Sequence, residues 1–149
     1  MTPRANVLVV DDDQPTTTMV ADVLGDEGYL VRTAVNAVGA LEAIEVEPPD
    51  IILLDLRMPG IDGIDMFRIL HERDLITMPI ILMTADNHAL QEITAQGVKF
   101  ILFKPFDLDT LVNCVAEALR SPNDTQKQGV PVYIPEEPAI LPEGVHICP

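Results

Sequence analysis

Tryptophan is absent, cysteine occurs twice, and no apolar run is longer than a strand. Such short runs leave no segment of the roughly 20 apolar residues that a membrane-crossing helix needs. Met1 to Asn6 lack the apolar stretch of a secretory signal, so a cytoplasmic location without membrane contact is the expectation. Cys114 and Cys148 stand far apart, with neither metal-ligand spacing nor a disulfide framework. Cys114, beside the apolar face of a helical stretch, reads as a small buried filler. Bases are also scarce: 9 Lys and Arg against 24 Asp and Glu give a net charge of −15. That balance argues against direct nucleic-acid binding by this segment, which needs basic surface.

What is present is organised around Ile51–Gly63. Four apolar residues, Ile51 to Leu54, run into Asp55, and Met58-Pro59-Gly60 and Asp62-Gly63 follow. An unbroken apolar run suits a strand covered on both faces, as in a parallel sheet. Proline lacks a ladder donor and glycine permits a reversal, so Pro59-Gly60 ends the strand and leaves Asp55 at its carboxyl end. Ligands bind at that edge of open α/β sheets.

The remainder repeats the pattern. A strand over Asn6–Val10 ends at Asp11-Asp12-Asp13, and a helix follows over Thr16–Glu27, with Pro15 in its first turn. Tyr29–Ala34 is a more polar strand, expected at an edge, followed by a helix over Ala37–Val46. The third strand, Asp50–Leu54, leads to Asp55, and Ile64–Arg73 forms the next helix. Pro79–Met83 is a buried strand ending at Thr84, and Asn87–Gln96 is a weaker helix closed by Gly97. Val98–Phe103 ends at Lys104-Pro105, and Asp107 caps a helix over Leu108–Arg120. Five β-α repeats imply a parallel sheet with right-handed crossovers. Asp11, Asp12, Asp55, Thr84 and Lys104 then converge on one sheet edge.

Clustered carboxylates repel one another, and Lys104 alone is not sufficient counter-charge. Carboxylate oxygens, a backbone carbonyl and waters suit Mg²⁺. A carboxylate beside Mg²⁺ can attack a phosphoryl group to give an aspartyl phosphate. A hydroxyl and an ammonium, here Thr84 and Lys104, suit the charge that gathers on the phosphoryl oxygens.

In these residues the chain resembles the CheY-like receiver domains of two-component response regulators. The matching pieces are Asp11-Asp12, Asp55 to Gly63, Thr84-Ala85 and Lys104-Pro105-Phe106. The resemblance covers roughly residues 5–120. It implies one doubly wound (βα)5 domain of flavodoxin-like α/β fold, with a five-stranded parallel sheet of order 2-1-3-4-5. By residues, it implies that Asp55 is the phosphoacceptor and that Asp12 is the direct Mg²⁺ ligand. Asp11 would act mainly through water, and the Arg57 backbone carbonyl would be a further ligand. Thr84 would be the switch hydroxyl and Lys104 the phosphoryl-contacting ammonium, with a cis Lys104–Pro105 bond. The implied donor in the phosphorelay is a histidine kinase or phosphotransfer protein. The implied output is a surface of the fourth helix, fifth strand and fifth helix, biased toward a homodimer or an effector protein. Such a chain is a phosphoacceptor, not a turnover enzyme.

The pattern has one departure. The family places Tyr or Phe three residues before the lysine, where this chain has Ile101 between Phe100 and Phe103. Either a neighbouring Phe substitutes or the readout differs. Arg57 and Asp86, each two residues past a site residue, would form an ion pair roofing the cleft. His71, His88 and His146 lack ligand-spaced partners and read as surface residues.

Residues 1–120 form the expected domain. Residues 121–149, with six of the thirteen prolines, form an extended tail or linker. This tail is too short for a DNA-binding output domain, so output would come through protein contact or lie outside this chain. Two other functions compete. One is a receiver-fold interaction module not controlled by phosphate. The other is a haloacid-dehalogenase-type phosphatase with Asp11 as nucleophile, which would leave Asp55 unexplained.

Overall fold

The computed structural model describes residues 5–58, 60–75, 78–85, 98–120 and 146–147. In chain order the elements are β1 (Asn6–Val10), α1 (Gln14–Asp26), β2 (Leu30–Ala34), α2 (Ala37–Val46) and β3 (Ile51–Asp55). There follow α3 (Gly63–Glu72), β4 (Ile80–Thr84), β5 (Phe100–Phe103), α4 (Leu108–Arg120) and β6 (His146–Ile147). Here α4 is the fifth helix expected from the sequence, because the expected helix over Asn87–Gln96 lies outside the described residues.

The strands form one parallel sheet in the order β2-β1-β3-β4-β5-β6. Strand periodicity sends successive side chains to opposite faces, and two cores follow. Leu8, Val10, Ile52, Leu54 and Leu82 pack with Ile44 of α2 and Met66 and Leu70 of α3. Val7, Val9, Ile51, Leu53, Ile81 and Met83 pack with Leu24 of α1 and Leu111, Cys114 and Val115 of α4. Every residue of β3 and β4 is buried, as a central parallel strand requires. β2 is the edge expected from its polarity, and Leu30 is exposed.

Short polar side chains start the helices at the carboxyl edge of the sheet. Asp13 accepts from the Thr16 amide at 3.2 Å, Asn36 from Gly39 at 2.8 Å, and Asp62 from Asp65 at 2.9 Å. Asp107 accepts from the Thr110 amide at 2.7 Å, and this bond holds its carboxyl below the ordinary range. Gly63 is set by close approach: a Cβ there would overlap the Asp55 carbonyl oxygen and lie 2.8 Å from Leu56 Cα. Only glycine lets α3 start against the end of β3.

Three expectations change. β3 and β4 run one residue further than read from the apolar runs, because Asp55 pairs with Met83 and Thr84 with Phe103 in register. A sixth strand of two residues, His146–Ile147, joins the β5 edge opposite Phe100 and Ile101; two residues carry no periodicity to read. Cys114, expected as a buried filler outside any disulfide, is buried but disulfide-bonded. Spacing along the chain does not report which groups the fold brings against α4, so the bond left no sign in the sequence.

Candidate functional site

Each site residue follows a strand or ends it. The Asp11 amide continues the β1 ladder by donating to the Ala34 carbonyl at 3.1 Å, which fixes its carboxylate at the strand's end. That carboxylate is fully buried, and one oxygen accepts from the Asp13 amide at 3.0 Å. Asp55 closes β3 and is 5% exposed. The Lys104 amide donates to the Thr84 carbonyl at 2.8 Å, coupling the ends of β4 and β5. The Lys104–Pro105 peptide is cis.

Lys104 Nζ bridges two carboxylates, donating to Asp11 Oδ2 at 2.8 Å and to Asp55 Oδ1 at 3.0 Å. Asp12, exposed beside them, completes a group of carboxylates whose oxygens lie within 4.8 Å of one another. Three carboxylates against one ammonium leave two uncompensated negative charges.

Electrostatics follow from this crowding. Burial pushes the Asp55 carboxyl up from 3.8 to about 6 and is opposed by the Lys104 hydrogen bond and charge; the charges of Asp11 and Asp12 raise it further. For Lys104, burial acts downward, but the bonds to Asp11 and Asp55 outweigh it and the ammonium titrates above its ordinary value. Lys104 is therefore charged throughout the physiological range.

The fold thus brings Asp11, Asp12, Asp55 and Lys104 into contact distance. Thr84 is buried at the end of β4, one register position beyond the Asp55–Met83 pair. Arg57 follows Asp55 by two residues and its side chain is exposed. Asp86 lies outside the described residues, and so does the expected Arg57–Asp86 pair. The third member of Asp11-Asp12-Asp13 serves a different purpose, capping α1. Gly63 was not singled out from the sequence, although its place directly after Asp62 at a helix start was a usable signal.

The cluster suits a hard divalent cation. Its donors are all carboxylate oxygens, the geometry is already collected, and two positive charges would balance the net charge of the group. A cavity of about 680 Å³ lies elsewhere, lined by Ala5, Tyr29 and Pro79 at the amino ends of the strands.

Comparison with known proteins agrees with this geometry. Residues 7–116 match the response regulator receiver domain family. The chain is 34% identical over 147 residues to the DNA-binding transcriptional regulator NtrC of Proteus hauseri, covering 92% of this chain and 31% of that protein. It therefore spans about a third of the length of that relative. It is 33% identical over 115 residues to sporulation initiation phosphotransferase F of Bacillus subtilis, covering 76% of this chain and 92% of that one. Among solved structures, chemotaxis protein CheY4 of Vibrio cholerae superposes with a TM-score of 0.72 at 31% identity, covering 76% and 98% of the two chains. A response regulator from Chloroflexus aurantiacus gives a TM-score of 0.73 at 34% identity, covering 80% and 99%. With the family matched over most of its length and the acidic cluster at the carboxyl edge of its sheet, the chain belongs to the response regulator receiver domain family.

Proposed function

We propose that Asp55 accepts a phosphoryl group from a histidine kinase or phosphotransfer protein and so switches a protein-interaction surface in two-component signalling. The observation that carries this reading is the bridge from Lys104 Nζ to Asp11 and Asp55 at the carboxyl edge of a receiver sheet. An Asp55 carboxylate oxygen attacks phosphorus, the donor's P–N bond breaks, and the imidazole nitrogen leaves with the bonding pair. Lys104 Nζ, already within hydrogen-bond distance of Asp55, donates to a phosphoryl oxygen and offsets the charge arriving there. The Thr84 hydroxyl donates to another. Asp11, both of whose oxygens are engaged, holds Lys104 in place. Asp11, Asp12, Asp55 and the Arg57 carbonyl would hold Mg²⁺, which supplies positive charge to the phosphoryl oxygens when bound.

In this reading residues 1–120 are the receiver, working in the cytoplasm, and residues 121–149 form the tail. The protein is a phosphoacceptor rather than a turnover enzyme, and its output is contact with an effector or a second copy. No helix among the described residues is long and apolar enough to cross a membrane. A dehalogenase-type role for Asp11 fits poorly, since its carboxylate is fully buried and bonded through both oxygens. For the readout, Ile101 is fully buried and Phe103 lies half-buried against the same core, in register with Thr84. Phe103 is thus the neighbouring ring placed to respond when the Thr84 hydroxyl moves.

The test is intact mass after incubation with acetyl phosphate. A gain of one phosphoryl group that requires Mg²⁺ and is lost in Asp55→Asn supports the reading. A gain retained in Asp55→Asn, or none in the wild type, overturns it.

A further inference from the structure

The three residues of Asp11-Asp12-Asp13 are held in different ways. Asp11 is fully buried and bonded through both carboxylate oxygens. Asp12 is exposed, and among the described residues no hydrogen bond holds its carboxylate. Its place beside Asp11 and Asp55 is therefore set by the backbone on either side of it. On one side the sheet fixes the Asp11 amide to the Ala34 carbonyl at 3.1 Å. On the other side Asp13 is pinned at three points. Its amide donates to Asp11 Oδ1 at 3.0 Å, and its carbonyl accepts from the Thr17 amide of α1 at 3.1 Å. Its Oδ2 accepts from both the Thr16 amide, at 3.2 Å, and the Thr16 hydroxyl. One side-chain oxygen thus gathers two donors from the first turn of α1, where helical amides otherwise lack partners.

We propose that Asp13 is a positioning residue for the divalent cation of the acidic cluster, its cap on α1 holding the Asp12 carboxylate toward Asp11 and Asp55. This rests on the reading that Asp11, Asp12 and Asp55 hold Mg²⁺. Asp13 is not itself among the clustered carboxylates, because its side chain is engaged with Thr16. A small cation demands a fixed set of oxygens, so an exposed ligand on a loose backbone must be ordered before it can bind. The cap does that ordering in advance. Without it the Thr16 donors are released, and the Asp13 end of the loop is tied only through its own backbone. Groups that orient metal ligands from behind typically change affinity by about 10- to 100-fold when removed.

The test is Mn²⁺ binding by the full chain, read from the paramagnetic resonance of the free ion, since Mn²⁺ takes the same oxygen ligands as Mg²⁺. Asp12→Asn sets the baseline for binding elsewhere on this acidic surface. Asp13→Asn keeps a capping oxygen and loses only a charge, so its affinity should fall by no more than about threefold in roughly 0.1 M salt. Asp13→Ala loses the cap and should bind about tenfold more weakly than Asp13→Asn, measured in the cold where circular dichroism shows both folded. Thr16→Val, which removes one donor and keeps the Asp13 charge, should weaken binding in the same direction. Equal affinity in Asp13→Asn and Asp13→Ala would overturn the inference while leaving the cation site in place. Wild-type binding no tighter than that of Asp12→Asn would overturn the inference and the cation reading together.

Discussion

Lys104 Nζ lies 3.0 Å from Asp55 Oδ1 and 2.8 Å from Asp11 Oδ2, so one ammonium from the end of β5 ties the ends of β3 and β1 together. The groups come from positions far apart in the chain, and the bridge exists only in the folded state. Removing the ammonium leaves three neighbouring carboxylates uncompensated. Lys104→Ala should therefore lose roughly 1–3 kcal/mol of stability, below the full cost of breaking a buried pair because Lys104 is partly exposed. Urea unfolding in EDTA checks this, and Mg²⁺ should recover part of the loss. An unchanged midpoint would show that the bridge contributes nothing.

Asp55 carries a pH signature of the opposite sign from an ordinary surface carboxylate. Its ordinary value of 3.8 rises to about 6 in the folded, metal-free chain, mainly through burial. Because the folded value is the higher one, the stability it contributes is complete below 3.8 and is lost as pH rises through about 6. Asp55→Asn has no such charge and should be more stable than the parent at pH 7.5 by roughly 1–2 kcal/mol. The difference should shrink toward pH 4. Thermal unfolding in EDTA from pH 4 to 8 measures it, and a constant or reversed difference would refute the burial argument.

Gly63 has no room for a side chain against the Asp55 carbonyl and Leu56 Cα. Gly63→Ala must move backbone, not a flexible side chain, so a loss of about 1–3 kcal/mol is expected. Phosphoryl uptake should slow with it, since the displaced backbone carries Asp55. Native-like stability in the alanine variant would mean that the start of α3 can yield.

Phe103 separates uptake from readout. Phe103→Ala should accept a phosphoryl group at the wild-type rate yet lose the exchange changes that phosphorylation causes around β5 and α4. Comparing hydrogen exchange with and without acetyl phosphate in both proteins decides the matter. Wild-type exchange changes in the variant would assign the readout to other side chains.

Much of the fold was legible because the apolar pattern is so regular. Ile51 to Leu54 and Ile80 to Met83 have no polar interruption, which marks strands covered on both faces, and the polar Arg32 and Thr33 mark the edge. The site was legible because polar residues stand directly after those runs, so locating the strand ends located Asp11, Asp55, Thr84 and Lys104. The close approach at Gly63 was not read from the motif that contains it, because such an approach is a property of packing and leaves no periodic trace. The disulfide at Cys114 was missed because spacing along the chain does not report which groups the fold brings against α4. β6 was missed because two residues cannot show alternation.

The most direct measurement is where the phosphoryl group sits. After acetyl phosphate and Mg²⁺, borohydride reduces an aspartyl phosphate to homoserine, and peptide sequencing by mass locates the altered residue. The phosphoacceptor reading predicts homoserine at position 55 and nowhere else. Homoserine at position 11, or none at all in a protein whose mass shows no phosphoryl gain, would contradict it.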